Sequence, residues 1–166
     1  MSIVRAYIGL GSNLQEPVRQ IQRAITQLSS LQKSRLLAVS SMYGNPPMGP
    51  QDQPDFVNAV AAMETELSAR ALLKALQEIE RQQGRERSGE RWGPRTIDLD
   101  LLVFGAEIVN ETGLEVPHPG IGSRAFVLIP LREIAPGLVI PGLGEIDTVT
   151  DAMDASALCV IDSEQD

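Results

Sequence analysis

A chain of 166 residues, 43% hydrophobic and 22% charged, suits one globular domain with a sizeable core. A single cysteine, Cys159, excludes an intrachain disulfide and fits a reducing cytoplasm; with only one histidine beside it, the usual zinc site is excluded as well. The net charge of −8 sits largely in a tail from Glu145 to Asp166, which holds seven acidic residues and no basic one.

No apolar run approaches the ~20 residues of a membrane-spanning helix. The opening "MSIVRAYIGLGSN" lacks the charged and apolar regions of a secretory signal. Of the 14 basic residues, 12 are arginine, and five of those fall between Arg81 and Arg95 against two glutamates. Arginine's planar fork grips phosphate in a bidentate way. A cluster this short on an acidic chain points to a small phosphorylated ligand, because long nucleic acid wants a broad basic face.

In chain order, "IVRAYIGLGSN" predicts a strand running into a glycine turn with a close backbone approach. Asn13 and Glu16 resemble a capping box. Val18, Ile21, Ala24 and Leu28 then recur at helical spacing over about residues 16–31. "SRLLAVSSMYG" reads as one strand, residues 45–55 with four prolines as a loop, and "FVNAVAAMETEL" as a third strand. Ser68 is placed to cap a second helix with the stripe Leu72, Ala75, Leu76 and Ile79, which Gly84 would end. A fourth strand is expected from about Thr96 to Phe104, with "GAEIVNETG" turning back as a hairpin. Short helices are expected in "RAFVLIPLREIAPG" and at Asp147–Ala157. The resulting β-α-β-β-α-β order predicts an α+β, ferredoxin-like single domain with an antiparallel sheet and flanking helices. Its core would span about residues 3–141, with an acidic C-terminal helix or tail over about 145–166.

Chemistry concentrates in "RWGPRTIDLDLLVFG". Strand alternation sets Thr96, Asp98, Asp100 and Leu102 on one face and Ile97, Leu99, Leu101 and Val103 on the other. The two carboxylates then start roughly 7 Å apart and point the same way. Mg²⁺ takes one or two carboxylates plus phosphate oxygens and water, so such a pair suits phosphoryl chemistry. Two surface aspartates paired with nearby arginines would give the same pattern. Arg85, Arg87, Arg91 and Arg95 around Trp92 read either as a loop closing over a triphosphate or as a solvated loop. The glycines of "GLGSN" fail the dinucleotide fingerprint, since Leu14 stands where a third glycine is needed. His118, alone in "VPHPG", reads as structural or incidental.

The blocks "YIGLGSNL", "NPPMGPQDQPDFVN", "ERQQGRERSGERWGPRTIDLDLLVFG" and "VPHPGIGSRAFVLIPLREIAP" resemble the 6-hydroxymethyl-7,8-dihydropterin pyrophosphokinases of the folate pathway, in order, over about residues 5–141. The resemblance implies a fold of the ferredoxin-like kind. It also implies Mg²⁺-dependent transfer of the β,γ-pyrophosphate of ATP to the pterin hydroxymethyl group, with release of AMP. Asp98 and Asp100 would hold two Mg²⁺ ions, and Arg85 and Arg95 would act on the transferred group. The pterin would lie between Phe56 and Phe126 with Asn58 reading its edge, and Gly11, Asn45, Met48 and Trp92 would complete that site. Gln77, Glu80, Arg87, Arg91, Leu101, His118 and Arg124 fall on the nucleotide side. Asn45 stands where threonine is common, Phe56 where tyrosine is also found, and Pro119 where some members carry an aromatic that touches the phosphates. A cytoplasmic monomer acting on small molecules, with no nucleic-acid or membrane partner, is the expectation. A non-catalytic ligand-binding module and a metal-dependent phosphohydrolase are the alternatives.

Overall fold

The computed structural model of the chain describes residues 3–12, 16–45, 56–85, 97–153 and 158–161. The described elements are β1 (Val4–Ser12), α1 (Pro17–Ser29), β2 (Ser34–Val39), β3 (Met42–Asn45), β4 (Phe56–Thr65), α2 (Ala69–Arg85) and β5 (Asp98–Phe104). Then come β6 (Val109–Glu111), β7 (Leu114–Val116), a 3₁₀ turn (Ile121–Ser123), α3 (Ala125–Ile134), β8 (Val139–Ile140), β9 (Gly144–Glu145), α4 (Ile146–Asp151) and β10 (Cys159–Ile161). No helix of the described residues is long and apolar enough to cross a membrane.

The main sheet runs β10-β3-β4-β1-β5, with β2 also paired to β4, and every pairing is antiparallel. With β2 and β3 taken as one interrupted strand, this is the ferredoxin-like order that the β-α-β-β-α-β succession predicts. One face of the sheet packs Ile8, Leu10, Ala59, Ala61, Leu99 and Leu101 against the buried stripes of α1 and α2. The other packs Tyr7, Val60, Ala62 and Leu102 against Val127, Leu128 and Leu131 of α3 and Ile146 of α4. Burying side chains of this kind contributes about 1.5–3 kcal/mol each, so both helical layers are held by the alternation of three central strands. Ser68 caps α2 as expected, its hydroxyl accepting from the Ala71 N–H at 3.1 Å.

Several expectations need correction. The predicted second strand is broken at Ser40–Ser41. Ser40 turns its hydroxyl to accept from the Val60 N–H (2.9 Å) and donate to the Ser41 carbonyl (2.7 Å), which interrupts the ladder. Gly9 and Gly11 lie inside β1, not in a turn, although the close approach is real. Helix α2 runs through Gly84 to Arg85. Glu16 is the N-cap residue of α1, in the left-handed region (φ 55°) with no side-chain cap bond, and Asn13 lies outside the described residues. The hairpin after β5 forms as expected, between β6 and β7, turning at Gly113 with φ +76°. Finally, Val103 joins Leu102 against α3, because the register between β1 and β5 shifts at Tyr7/Ile8. A bulge there seats one extra residue, Leu102, and reverses the alternation beyond it.

Candidate active site

Residues paired directly across antiparallel strands point to the same face of a sheet. Asp98 on β5 pairs with Gly11 on β1, Gly11 with Asn58 on β4, and Asn58 with Tyr43 on β3. One row across four strands therefore carries a carboxylate, a gap, an amide and a phenol toward α3. The next position up β5, Asp100, pairs with Gly9. Glycine at 9 and 11 leaves the floor between the aspartates and Asn58 low. A Cβ at Gly11 would stand 2.8 Å from Asn58 Oδ1, too close for that amide to keep its place.

Above this floor is a cavity of about 490 Å³, lined by Gly9, Leu10, Gly11, Phe56, Asn58, Ala59, Asp98, Asp100, Ser123, Arg124, Phe126 and Val127. Phe56 comes from the mouth of β4 and Phe126 from the first turn of α3, so two aromatic rings from different layers meet one opening. The Arg124 guanidinium lies 5.9 Å from the centroid of the Phe126 ring, within cation–π reach. Asn58 is buried, whereas Asp98 is exposed at the rim.

A second cavity of about 300 Å³ adjoins the first and shares Asp100 with it. Leu73, Leu99, Leu101 and Leu114 line it together with Glu111, Gly113, Glu115, His118 and Pro119. Strand β5 is the sheet's edge, and its outward backbone groups need partners. The Leu99 N–H, between the two aspartates, donates to Glu80 Oε2 of α2 at 2.7 Å, and the Leu102 carbonyl accepts from the His118 N–H at 2.9 Å. That docking brings His118 Nε2 to 4.0 Å from Asp100 Oδ1, while His118 Nδ1 accepts from the Gly120 N–H at 3.1 Å. With Nδ1 an acceptor, the neutral ring carries its proton on Nε2, facing the carboxylate.

Seven of the residues expected from sequence thus line the first cavity: Gly11, Phe56, Asn58, Asp98, Asp100, Arg124 and Phe126. Leu101 and His118 line the second. Glu80 holds the β5 backbone, and Gln77 is exposed on α2 and lines neither cavity. Asn45 ends β3 opposite Phe56, and Arg85 ends α2. Met48, Arg87, Arg91, Trp92 and Arg95 lie outside the described residues. Glu111, Glu115, Leu73 and Ser123 are lining residues that sequence reasoning misses. Alternation within "LEV" was the available signal for Glu115, because Leu114 and Val116 turn to the core and leave it outward.

Asp98 and Asp100 form a hard oxygen donor set. Among the described residues no group of three or more His, Cys, Asp or Glu side chains is gathered to hold a metal on protein ligands alone. That donor set fits Mg²⁺, which keeps several waters and commonly completes its shell with substrate phosphate.

Comparison with known proteins agrees with this architecture. The family model described as 7,8-dihydro-6-hydroxymethylpterin-pyrophosphokinase (HPPK) matches residues 7–136. A 2-amino-4-hydroxy-6-hydroxymethyldihydropteridine pyrophosphokinase of Haemophilus influenzae is 52% identical over 139 residues, covering 84% of this chain and 86% of that protein. The enzyme of the same name from Pseudomonas aeruginosa is also 52% identical over 139 residues, covering 84% of this chain and 85% of its own length. Among solved structures, a Plasmodium falciparum HPPK-DHPS triple mutant with SDX-DHP superposes with a TM-score of 0.73 at 13% identity. It covers 90% of this chain, which spans 44% of that longer protein, and at that identity the likeness speaks for the fold alone. The chain belongs to the 7,8-dihydro-6-hydroxymethylpterin-pyrophosphokinase family and is an enzyme of the pyrophosphokinase type.

Proposed function

We propose that the chain transfers the β,γ-pyrophosphate of ATP to the hydroxymethyl group of 6-hydroxymethyl-7,8-dihydropterin, in a Mg²⁺-dependent reaction of folate biosynthesis that releases AMP. The single observation that carries this reading is the pair of adjoining cavities with Asp100 in the wall between them. A two-substrate transfer needs two pockets that meet where the reacting atoms meet. The flat pterin suits the first, between Phe56 and Phe126, where the Asn58 amide offers both a donor and an acceptor to the ring edge. The second supplies leucine walls for a purine, with His118 beside the shared carboxylate.

Charge supports the metal requirement. Asp100, Glu111 and Glu115 line the nucleotide cavity, and alone they would repel a triphosphate. Two Mg²⁺ ions held by Asp98 and Asp100 would neutralise the phosphates and polarise the group in transit. The hydroxyl oxygen of the pterin forms the new bond to the β-phosphorus and gives up its proton to solvent, while the bond from that phosphorus to the AMP oxygen breaks and AMP leaves with the electron pair. A loose transition state of this kind needs little early proton removal, so no strong general base is required. Arg85 and Arg95 would offset the growing charge, with Arg87, Arg91 and Trp92 beside them in sequence. The enzyme would act as a cytoplasmic monomer on small molecules, without nucleic-acid or membrane partners.

Titration calorimetry with α,β-methylene ATP tests the assignment of nucleotide and metal together. Binding is expected in Mg²⁺ and should weaken by at least tenfold in EDTA. Equal affinity in both would contradict the role given to the aspartates.

A further inference from the structure

Helix α3 carries Phe126, one wall of the acceptor slot, while the opposite wall stands on β4, next to β3. Packing of Val127, Leu128 and Leu131 on Val60 and Ala62 holds α3 to β4 directly, and a second tie, from α3 to β3, lies outside both cavities. Glu133 lies seven residues after Phe126, about two helical turns, so both side chains project from nearly the same side of α3. The Glu133 carboxylate reaches β3. Its Oε2 accepts from the Ser41 N–H (2.8 Å) and the Ser41 hydroxyl (3.0 Å), and its Oε1 accepts from the Tyr43 hydroxyl at 2.5 Å. Tyr43 is the cross-strand neighbour of Asn58 in the row that ends at Asp98.

Strand β3 needs such an anchor. It is four residues long and follows the break at Ser40–Ser41. Among the described residues its outer side is paired with the three-residue β10, whose Ile161 packs beside Gly44. We infer that Glu133 is a positioning residue for the acceptor slot, setting the separation between Phe126 and the Phe56–Asn58 wall through its three bonds to β3; this rests on the pterin reading above. Burial and the adjacent Glu133 carboxylate push the Tyr43 hydroxyl up to about 12, so it stays protonated and remains a donor throughout the working pH range. Glu133 is solvent-exposed. The Tyr43 hydroxyl that it bonds is part-buried, so some loss of stability is expected beside the change in geometry when the carboxylate is removed.

The test compares wild type, Glu133→Ala and Tyr43→Phe for pterin affinity, for affinity toward α,β-methylene ATP in Mg²⁺, and for amide exchange at Ser41. Glu133→Ala is expected to weaken pterin binding roughly tenfold and leave nucleotide affinity within twofold. Tyr43→Phe, which removes one bond of three, should give a smaller loss, and the double variant should weaken binding by less than the product of the two. Ser41 amide exchange in the free protein should quicken in Glu133→Ala, whatever the ligand. Unchanged pterin affinity with faster exchange would overturn the inference and leave a merely structural tie, as would an equal loss for both ligands. A wild-type protein that does not bind pterin would instead defeat the functional reading on which the inference rests.

Discussion

Asp100→Ala is expected to lower kcat by at least about a thousandfold, since lost metal-based stabilisation of several kcal/mol costs a decade per 1.36 kcal/mol. Asp98→Ala should lower kcat on a similar scale. The two should differ in binding. Asp100 faces both cavities and Asp98 only the first, so Asp100→Ala should also weaken Mg²⁺–nucleotide affinity, with Asp98→Ala affecting it less. Neither carboxylate is a core residue: Asp98 is exposed and Asp100 partly so, and melting temperature should change little. Steady-state kinetics, calorimetry and thermal melts on the two variants check this. Near-normal turnover in Asp100→Ala would remove the metal from the account.

Phe126→Ala should act on the acceptor alone. Losing one stacked ring costs about 1–3 kcal/mol, on the order of a ten- to hundredfold rise in pterin Kd. Nucleotide affinity should stay within twofold, because Phe126 lines only the first cavity. The ring also packs on the α3-side core, so a modest fall in melting temperature is expected alongside. Equilibrium binding of each ligand separately distinguishes this from general damage, which would weaken both.

The features legible in the sequence are those set by local periodicity. Two aspartates one residue apart in an apolar run must share a face of a strand, and they do, over the low floor of Gly9 and Gly11. The buried stripes Ile21, Ala24, Leu28 and Leu72, Leu76, Ile79 follow from helical spacing in the same way. Resemblance supplied the meeting of Phe56, Asn58 and Phe126, which no local pattern could bring together. What stayed hidden depends on partners distant in the chain. The bulge that turns Val103 toward α3 is set by β1, and the break in the second strand by a Ser40 bond to Val60. Glu133 reads as an ordinary helix-surface charge until β3, some 90 positions earlier, folds beneath it. Glu80 likewise shows its use only when β5 becomes a sheet edge with an N–H to satisfy.

Which bond of the nucleotide breaks is reported by the nucleotide product. Wild-type protein incubated with ATP, Mg²⁺ and 6-hydroxymethyl-7,8-dihydropterin should yield AMP and pterin diphosphate in equal amounts, resolved by ion-exchange chromatography or ³¹P NMR. ADP or free phosphate as the main product would contradict the account, as would recovery of unchanged ATP.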